Sequence, residues 1–167
     1  WEGLPPRQVR GALLSLGDGS LLTSNALESK VKSGDKELVS QLVTTLKKGN
    51  PKAVSAIVQT AQQATLKGIE SGFIPLLQAA QSNLRSLAID GLNGRGSSEV
   101  YKALREVMDN DPESSLKDKA ALALSKAKDP KVSAAALFHN LRSGDIKIVV
   151  EAAQKLVKTK SKEADTE

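Results

Sequence analysis

The chain has 167 residues, a formal net charge of +5 and no cysteine. Without cysteine it can form no disulfide bond, hold no cysteine-ligated iron–sulfur cluster and use no thiol in catalysis. No stretch approaches the roughly 20 apolar residues that a membrane-spanning helix requires. Aromatic residues make up only 2% of the chain, and alanine, leucine, lysine and serine are abundant. This composition favours helix over sheet, so we expect an all-α protein.

Apolar periodicity, with prolines at helix starts and glycines at helix ends, predicts ten helices. Asn50-Pro51 and Asp129-Pro130 are typical of an N-cap residue followed by the first helical residue. Gly49 falls where a residue in the left-handed conformation would end a helix. The predicted helices cover residues 6–16, 20–32, 35–48, 51–66, 72–80, 82–93, 97–109, 114–127, 131–142 and 145–159.

A motif of three mostly apolar residues, spaced four apart, recurs along the predicted helices. A spacing of i, i+4 and i+8 places the three side chains on one stripe of a helix. The last residues of the triplets are 30, 31, 32 and 32 residues apart. The five triplets are Thr23/Leu27/Val31, Ala53/Ile57/Ala61, Leu84/Ala88/Leu92, Leu116/Ala120/Leu124 and Ile148/Ala152/Leu156.

Each triplet lies on the second helix of a predicted helix pair. No single pair can cover its own apolar face, whereas pairs stacked side by side cover one another. We therefore expect an α-solenoid, a right-handed superhelix of about five antiparallel pairs. Residues 5–158 are predicted to form one domain, and the polar residues 159–167 a tail or linker. Because the chain starts at Trp1 and not at Met, we expect a cut domain or a processed product.

Three segments of the second helices resemble HEAT-like repeats, particularly the short variety related to phycobilisome-lyase repeats. In that family the second helix typically reads as an apolar residue, an Ala-Ala-type step and then Ala-Leu. The segments are Asn83–Leu92 (NLRSLAIDGL), Leu116–Leu124 and Ile146–Leu156. The resemblance extends over residues 35–159 and more weakly over 5–32. It implies close helix packing and no particular chemistry.

A repeat array of this kind usually supplies a binding surface, so we expect a non-catalytic scaffold that binds another protein or a peptide segment. The surface should comprise exposed residues of the second helices outside the triplets. Ile89 and Leu122 are the most informative, because an apolar residue away from the core is either scatter or part of a contact patch. The predicted partner-binding residues are Lys52, Ser55, Gln59, Arg85, Ile89, Lys117, Leu122, Lys147 and Glu151.

An alternative function is the binding of a nucleic acid or another polyanion along a basic edge. Cations are also favoured near helix C-termini by the helix dipole alone, and acidic neighbours dilute this edge. Nucleic-acid binders usually show denser basic runs or stacking aromatic residues. The edge would comprise Lys30, Lys32, Lys67, Arg95, Lys126 and Lys128.

The sequence offers no strong catalytic, cofactor or metal motif. His139 is the only histidine, which leaves no pair of histidines for zinc. The glycine-rich segment Gly91–Gly96 follows a predicted helix and lacks the Gly-Lys-Ser/Thr ending of a phosphate-binding loop. The series that begins at Asp109 resembles the start of a calcium loop, but its twelfth position is Ala120. Asp90 could correspond to the carboxylate of HEAT-like DNA glycosylases. We treat that as a remote exception and predict no catalytic residue, no cofactor and no metal.

Overall fold

The computed structural model describes residues 33, 35–63 and 66–164 of the chain. Within these residues every regular element is a helix, which confirms the all-α class. The predicted helices 6–16 and 20–32, and the triplet that begins at Thr23, lie outside the described residues. The elements are α1 (Lys36–Lys47), α2 (Pro51–Gln63), α3 (Glu70–Phe73), a 3-10 helix (Ile74–Gln78), α4 (Ser82–Leu92), α5 (Ser98–Asn110), α6 (Ser114–Leu124), α7 (Pro130–Asn140) and α8 (Ile146–Ala164).

The helix boundaries follow local signals in the sequence. The side-chain oxygen of Asn50 accepts hydrogen bonds from the second and third amides of α2, directly before Pro51. Asp129 does the same for α7, directly before Pro130. Gly49 has a φ of 66° and follows the end of α1, where a side chain would be strained. The predicted caps are thereby confirmed.

One predicted helix, 72–80, is wrong in type. The structure has the short α3, which ends at Phe73, and then a 3-10 helix over Ile74–Gln78. Pro75 lies in the first turn of this 3-10 helix. Proline has no amide hydrogen to donate to the preceding turn, so the α-helical pattern cannot continue through it.

The apolar triplets form the core-facing stripe of the second helices. Leu84, Ala88 and Leu92 of α4 are at most 6% exposed, and the triplet of α6 is at most 5% exposed. Ile57, Ala61 and Ala152 are also buried, whereas Ala53, Ile148 and Leu156 are half-buried. The predicted register is therefore confirmed for the triplets of α4 and α6, whereas α2 buries two residues of its triplet and α8 buries one.

The chain divides into two compact units, Trp1–Leu92 and Asn93–Glu167. In the first unit, α1 contacts α2, α3 and the 3-10 helix, and α2 contacts α4. First helices thus pack on first helices and second on second, as expected of stacked pairs. In the second unit, α5 contacts α6, α6 contacts α7, and α7 contacts α8.

The remaining predictions on organisation concern the whole array and stay predictions. They are the single domain over residues 5–158 and the right-handed superhelix. The predicted polar tail 159–167 begins inside α8, because this helix continues to Ala164. None of the helices in the described residues has the length and apolar character needed to cross a membrane.

Candidate functional site

A cleft of about 640 Å³ opens on the second-helix surface of the second unit. Its walls come from α6, the end of α7, the turn that follows α7, and the first turn of α8. We call it the α6–α8 cleft. Its lining residues are Ser114, Ser115, Lys117, Asp118, Lys119, Leu122, His139, Arg142, Ser143, Gly144, Asp145 and Ile148.

The turn before α8 is fixed to α6 by a side-chain hydrogen bond. The Ser143 hydroxyl donates to Oδ2 of Asp118 over 2.6 Å, and its oxygen accepts from the amide of Asp145 over 3.1 Å. Asp145 in turn caps α8, since its carboxylate accepts from the amide of Lys147 over 2.8 Å. The mouth of the cleft is therefore held by a chain of short polar contacts from α6 to α8.

A second polar link lies at the other end of α6. The Ser133 hydroxyl of α7 donates to the carbonyl of Ser125 over 2.9 Å. Nζ of Lys155, on α8, lies 3.4 Å from the Ser125 hydroxyl oxygen. Hydrogen bonds thus connect α6 to the turn before α8 at one end and to Lys155 of α8 at the other.

Serine, histidine and aspartate meet in this cleft, but in an order that does not activate the serine. Nε2 of His139 lies 3.7 Å from Oδ1 of Asp118, while Ser143 donates to the other oxygen of the same carboxylate. In a nucleophilic triad the histidine stands between the serine and the acid, and takes the serine proton. Here the carboxylate lies between the histidine and the serine, so the three side chains connect α6 to the end of α7 and to the turn that follows it.

The cleft joins apolar side chains with basic groups. Leu122 and Ile148 are half-buried in its lining. Lysine and arginine contribute three cations, and Asp118 and Asp145 contribute two carboxylates. Lys117 donates to the carbonyl of Asp109 over 2.8 Å, so it is held toward the end of α5 and still has two ammonium hydrogens to offer. The cleft suits a ligand with an apolar group and an acidic group.

Among the predicted partner-binding residues, Lys117 and Leu122 line the cleft. Lys147 and Glu151 are exposed on α8, outside the cleft lining. In the first unit, α2 carries Lys52 and Gln59, which are exposed, and Ser55, which is half-buried. These residues stay predicted contacts.

Two of the predicted contacts are not on the surface. Ile89 is 1% exposed, because α4 packs against α2, α3 and the 3-10 helix and therefore buries more than one stripe. Arg85 is 7% exposed, and its guanidinium donates to the carbonyls of Ala79 and Ala80 over 3.0 and 3.2 Å. Its side chain thus satisfies carbonyl groups that follow the end of the 3-10 helix. The expectation that these two residues are exposed is wrong.

The sequence did not predict that Asp118, His139 and Ser143 come together in the cleft. Asp118 and Ser143 are 25 residues apart, and nothing local in the sequence pairs them. His139, the only histidine, is half-buried beside Asp118. The one usable signal was the Ser143-Gly144-Asp145 sequence, which is typical of a turn before a capped helix.

The predicted basic edge is divided between parts of the chain. Lys30 and Lys32 lie outside the described residues. Lys67 lies in the first unit, whereas Arg95, Lys126 and Lys128 lie in the second. Lys126 and Lys128 are exposed, close in sequence to the acidic cap Asp129. Among the described residues, no group of three or more histidine, aspartate or glutamate side chains could hold a metal ion.

Comparison with known protein families identifies the class of this repeat. The family model for HEAT repeats matches residues 70–158, which is more than half of the chain. The chain belongs to the HEAT-repeat family, and the predicted resemblance is confirmed. The relation to the phycobilisome-lyase variety stays a prediction. No curated protein and no solved structure matches the chain.

Proposed function

We propose that this chain is a non-catalytic scaffold that binds a short segment of another protein in the α6–α8 cleft. HEAT repeats are commonly protein-interaction scaffolds and are generally non-catalytic. The observation that carries the proposal is the cleft itself, an opening on the second-helix surface whose walls are tied together near both ends of α6. A preorganised groove loses little freedom on binding, which favours affinity.

The size and lining of the cleft define the kind of segment. A volume of about 640 Å³ falls within the range of roughly 300–1,000 Å³ typical of ligand clefts. It accommodates a few side chains and not a folded domain. Leu122 and Ile148 favour an apolar residue of the partner. Lys117, which has two ammonium hydrogens left to donate, and Arg142 favour an acidic residue next to it.

The proposal is tested by affinity capture from cells of the source organism. Leu122→Gln removes an apolar contact from the cleft while keeping a residue that is favourable in helices. Val132→Gln is the matched control, since Val132 is a half-buried aliphatic residue of α7 that does not line the cleft. We expect a protein captured by the wild type and by Val132→Gln to be lost from Leu122→Gln. Melting curves followed by circular dichroism confirm that all three chains are folded.

Salt dependence separates this proposal from polyanion binding. An apolar contact with one charged neighbour should survive an increase from about 0.1 M to about 0.5 M salt. Binding to nucleic acid through several lysines would fall by orders of magnitude over a similar range. Capture that is equal for the two variants, or that consists of salt-sensitive nucleic acid, would contradict the proposal.

A further inference from the structure

The turn that follows α4 contains Asn93 and Gly94, which form the single Asn-Gly pair of the sequence. Both residues are exposed. Gly94 has a φ of 79°, and a Cβ added to it would meet nothing within 4 Å. The main-chain nitrogen of Gly94 therefore has no side chain beside it and no neighbouring atoms that restrict its movement.

We propose that Asn93 is a modification site, at which the side-chain amide is lost without an enzyme and the residue becomes aspartate or isoaspartate. The Gly94 nitrogen loses its proton and bonds to Cγ of Asn93, and the Cγ–Nδ2 bond breaks. Ammonia leaves with that proton, and a succinimide ring remains. Water then opens the ring at either carbonyl group, which gives aspartate or isoaspartate. This inference does not depend on the α6–α8 cleft, and either can fail without the other.

The other asparagines lack this combination of features. Asn50 precedes Pro51, whose ring nitrogen has no hydrogen to lose. Asn83 lies within α4, where helical hydrogen bonds hold the main chain, and it precedes leucine. Asn140 is 1% exposed, so it is shielded from water and hydroxide. Asn25 precedes alanine and lies outside the described residues. Exposure and a glycine neighbour thus coincide only after the end of α4.

Asn110 is the closest match to Asn93, because it is exposed and stands at the end of a helix, α5. Its side chain is held, since Nδ2 donates to Oε1 of Glu106 over 2.8 Å. The next residue is Asp111, which is 6% exposed and whose amide donates to the carbonyl of Val107 over 3.0 Å. Both the amide that would be attacked and the nitrogen that would attack it are therefore engaged, so Asn110 should react much more slowly.

The reaction changes both the charge and the main chain at the end of α4. A carboxylate takes the place of a neutral amide, so the net charge of +5 falls by one. Negative charge is disfavoured near a helix C-terminus. In isoaspartate the main chain also runs through the side-chain carbon, which lengthens the turn after Leu92. The product is separable from the original chain by cation-exchange chromatography.

Peptide mapping of the folded full chain, incubated in a mildly alkaline buffer, tests the proposal, because hydroxide removes the proton from the attacking nitrogen. Trypsin releases Asn93 in the peptide Ser86–Arg95 and Asn110 in the peptide Glu106–Lys117, each without a second asparagine. Conversion raises the peptide mass by the difference between an amide and a carboxylic acid. We expect conversion to be at least about tenfold faster at Asn93 than at Asn110, because glycine has no Cβ to obstruct the attack.

Two controls show whether the folded chain presents Asn93 as proposed. A chain kept unfolded in guanidinium chloride gives the rate without structure, and we expect conversion at Asn93 in both the folded and the unfolded chain. Conversion in the unfolded chain alone would overturn the proposal, as would equal rates at Asn93 and Asn110 in the folded chain. In Asn93→Gln the same attack needs a larger ring, so the mass gain in this peptide should disappear. A gain of the same size and rate in Asn93→Gln would place the reaction at another residue and overturn the assignment.

Discussion

At the scale of single residues, Gly91 shows how closely the helices of the first unit approach. A Cβ at this position would lie 2.6 Å from Cε1 and Cζ of Phe73, whose side chain is fully buried. Carbon atoms in proteins do not approach this closely, so the ring or the helix must move to accept a methyl group. The glycine thus determines the distance between α4 and α3.

Gly91→Ala should destabilise the protein, although alanine normally favours a helix over glycine by about 1 kcal/mol. Overpacking of a well-filled core costs roughly 1–3 kcal/mol, and this cost should exceed the gain. Urea unfolding measures the difference. The control is Gly144→Ala, where nothing lies within 4 Å of the added carbon and the change should stay within about 0.5 kcal/mol. A Gly91→Ala chain as stable as the wild type would contradict tight packing between Gly91 and the ring of Phe73.

A feature of a residue could be predicted from the sequence only where its partner lies a few residues away along the chain. Asn50 and Asp129 were identifiable as caps, because their partners are two and three residues away. Arg85 was assigned to the surface because it lies outside the apolar triplet of α4. The two carbonyls to which its guanidinium donates are in place only once the 3-10 helix has formed. The Asp118–Ser143 hydrogen bond of the cleft spans 25 residues and had no local signal.

At the scale of helices, the recurring triplet predicted the face that α4 and α6 bury, and in α2 two of its three residues are buried. Its period of about 30 residues is insensitive to single substitutions, which explains why the register of these helices was correct. The wrong helix type at residues 72–80 had a local cause, because Pro75 interrupts α-helical hydrogen bonding in a segment whose apolar pattern continues past it. The second buried face of α4 was missed because the triplet defines only one stripe.

The triplets also predict how the loss of stability caused by a substitution depends on its position. Leu92 is 0% exposed at the end of α4, whereas Leu156 on α8 is half-buried. An unpaired carboxylate at a fully buried site is among the most destabilising changes, so Leu92→Asp should cost about 4 kcal/mol or more and prevent stable folding. Leu156→Asp should cost clearly less. Denaturant melts of both chains test this, and equal destabilisation would contradict the difference in burial between the two sites.

At the scale of the whole molecule, the HEAT match and the helices of the described residues define a repeat protein. We propose that its binding surface is built from second helices. The α6–α8 cleft lies on that surface, and two of the residues predicted to bind a partner, Lys117 and Leu122, line it. The helical period predicted exposed positions on this face, of which Lys117 and Leu122 line the cleft, while Arg85 and Ile89 are buried. It could not indicate the cleft, which depends on the turn between α7 and α8 folding back on α6.

Site-specific photo-crosslinking in cells of the source organism tests whether the α6–α8 cleft binds another protein. A benzoylphenylalanine residue is introduced at Leu122, in the cleft, or at Lys102, an exposed position of α5 outside the cleft lining. We expect irradiation to join the chain to one or a few discrete proteins through position 122 and not through position 102. No protein adduct at position 122, or the same adducts at both positions, would contradict it.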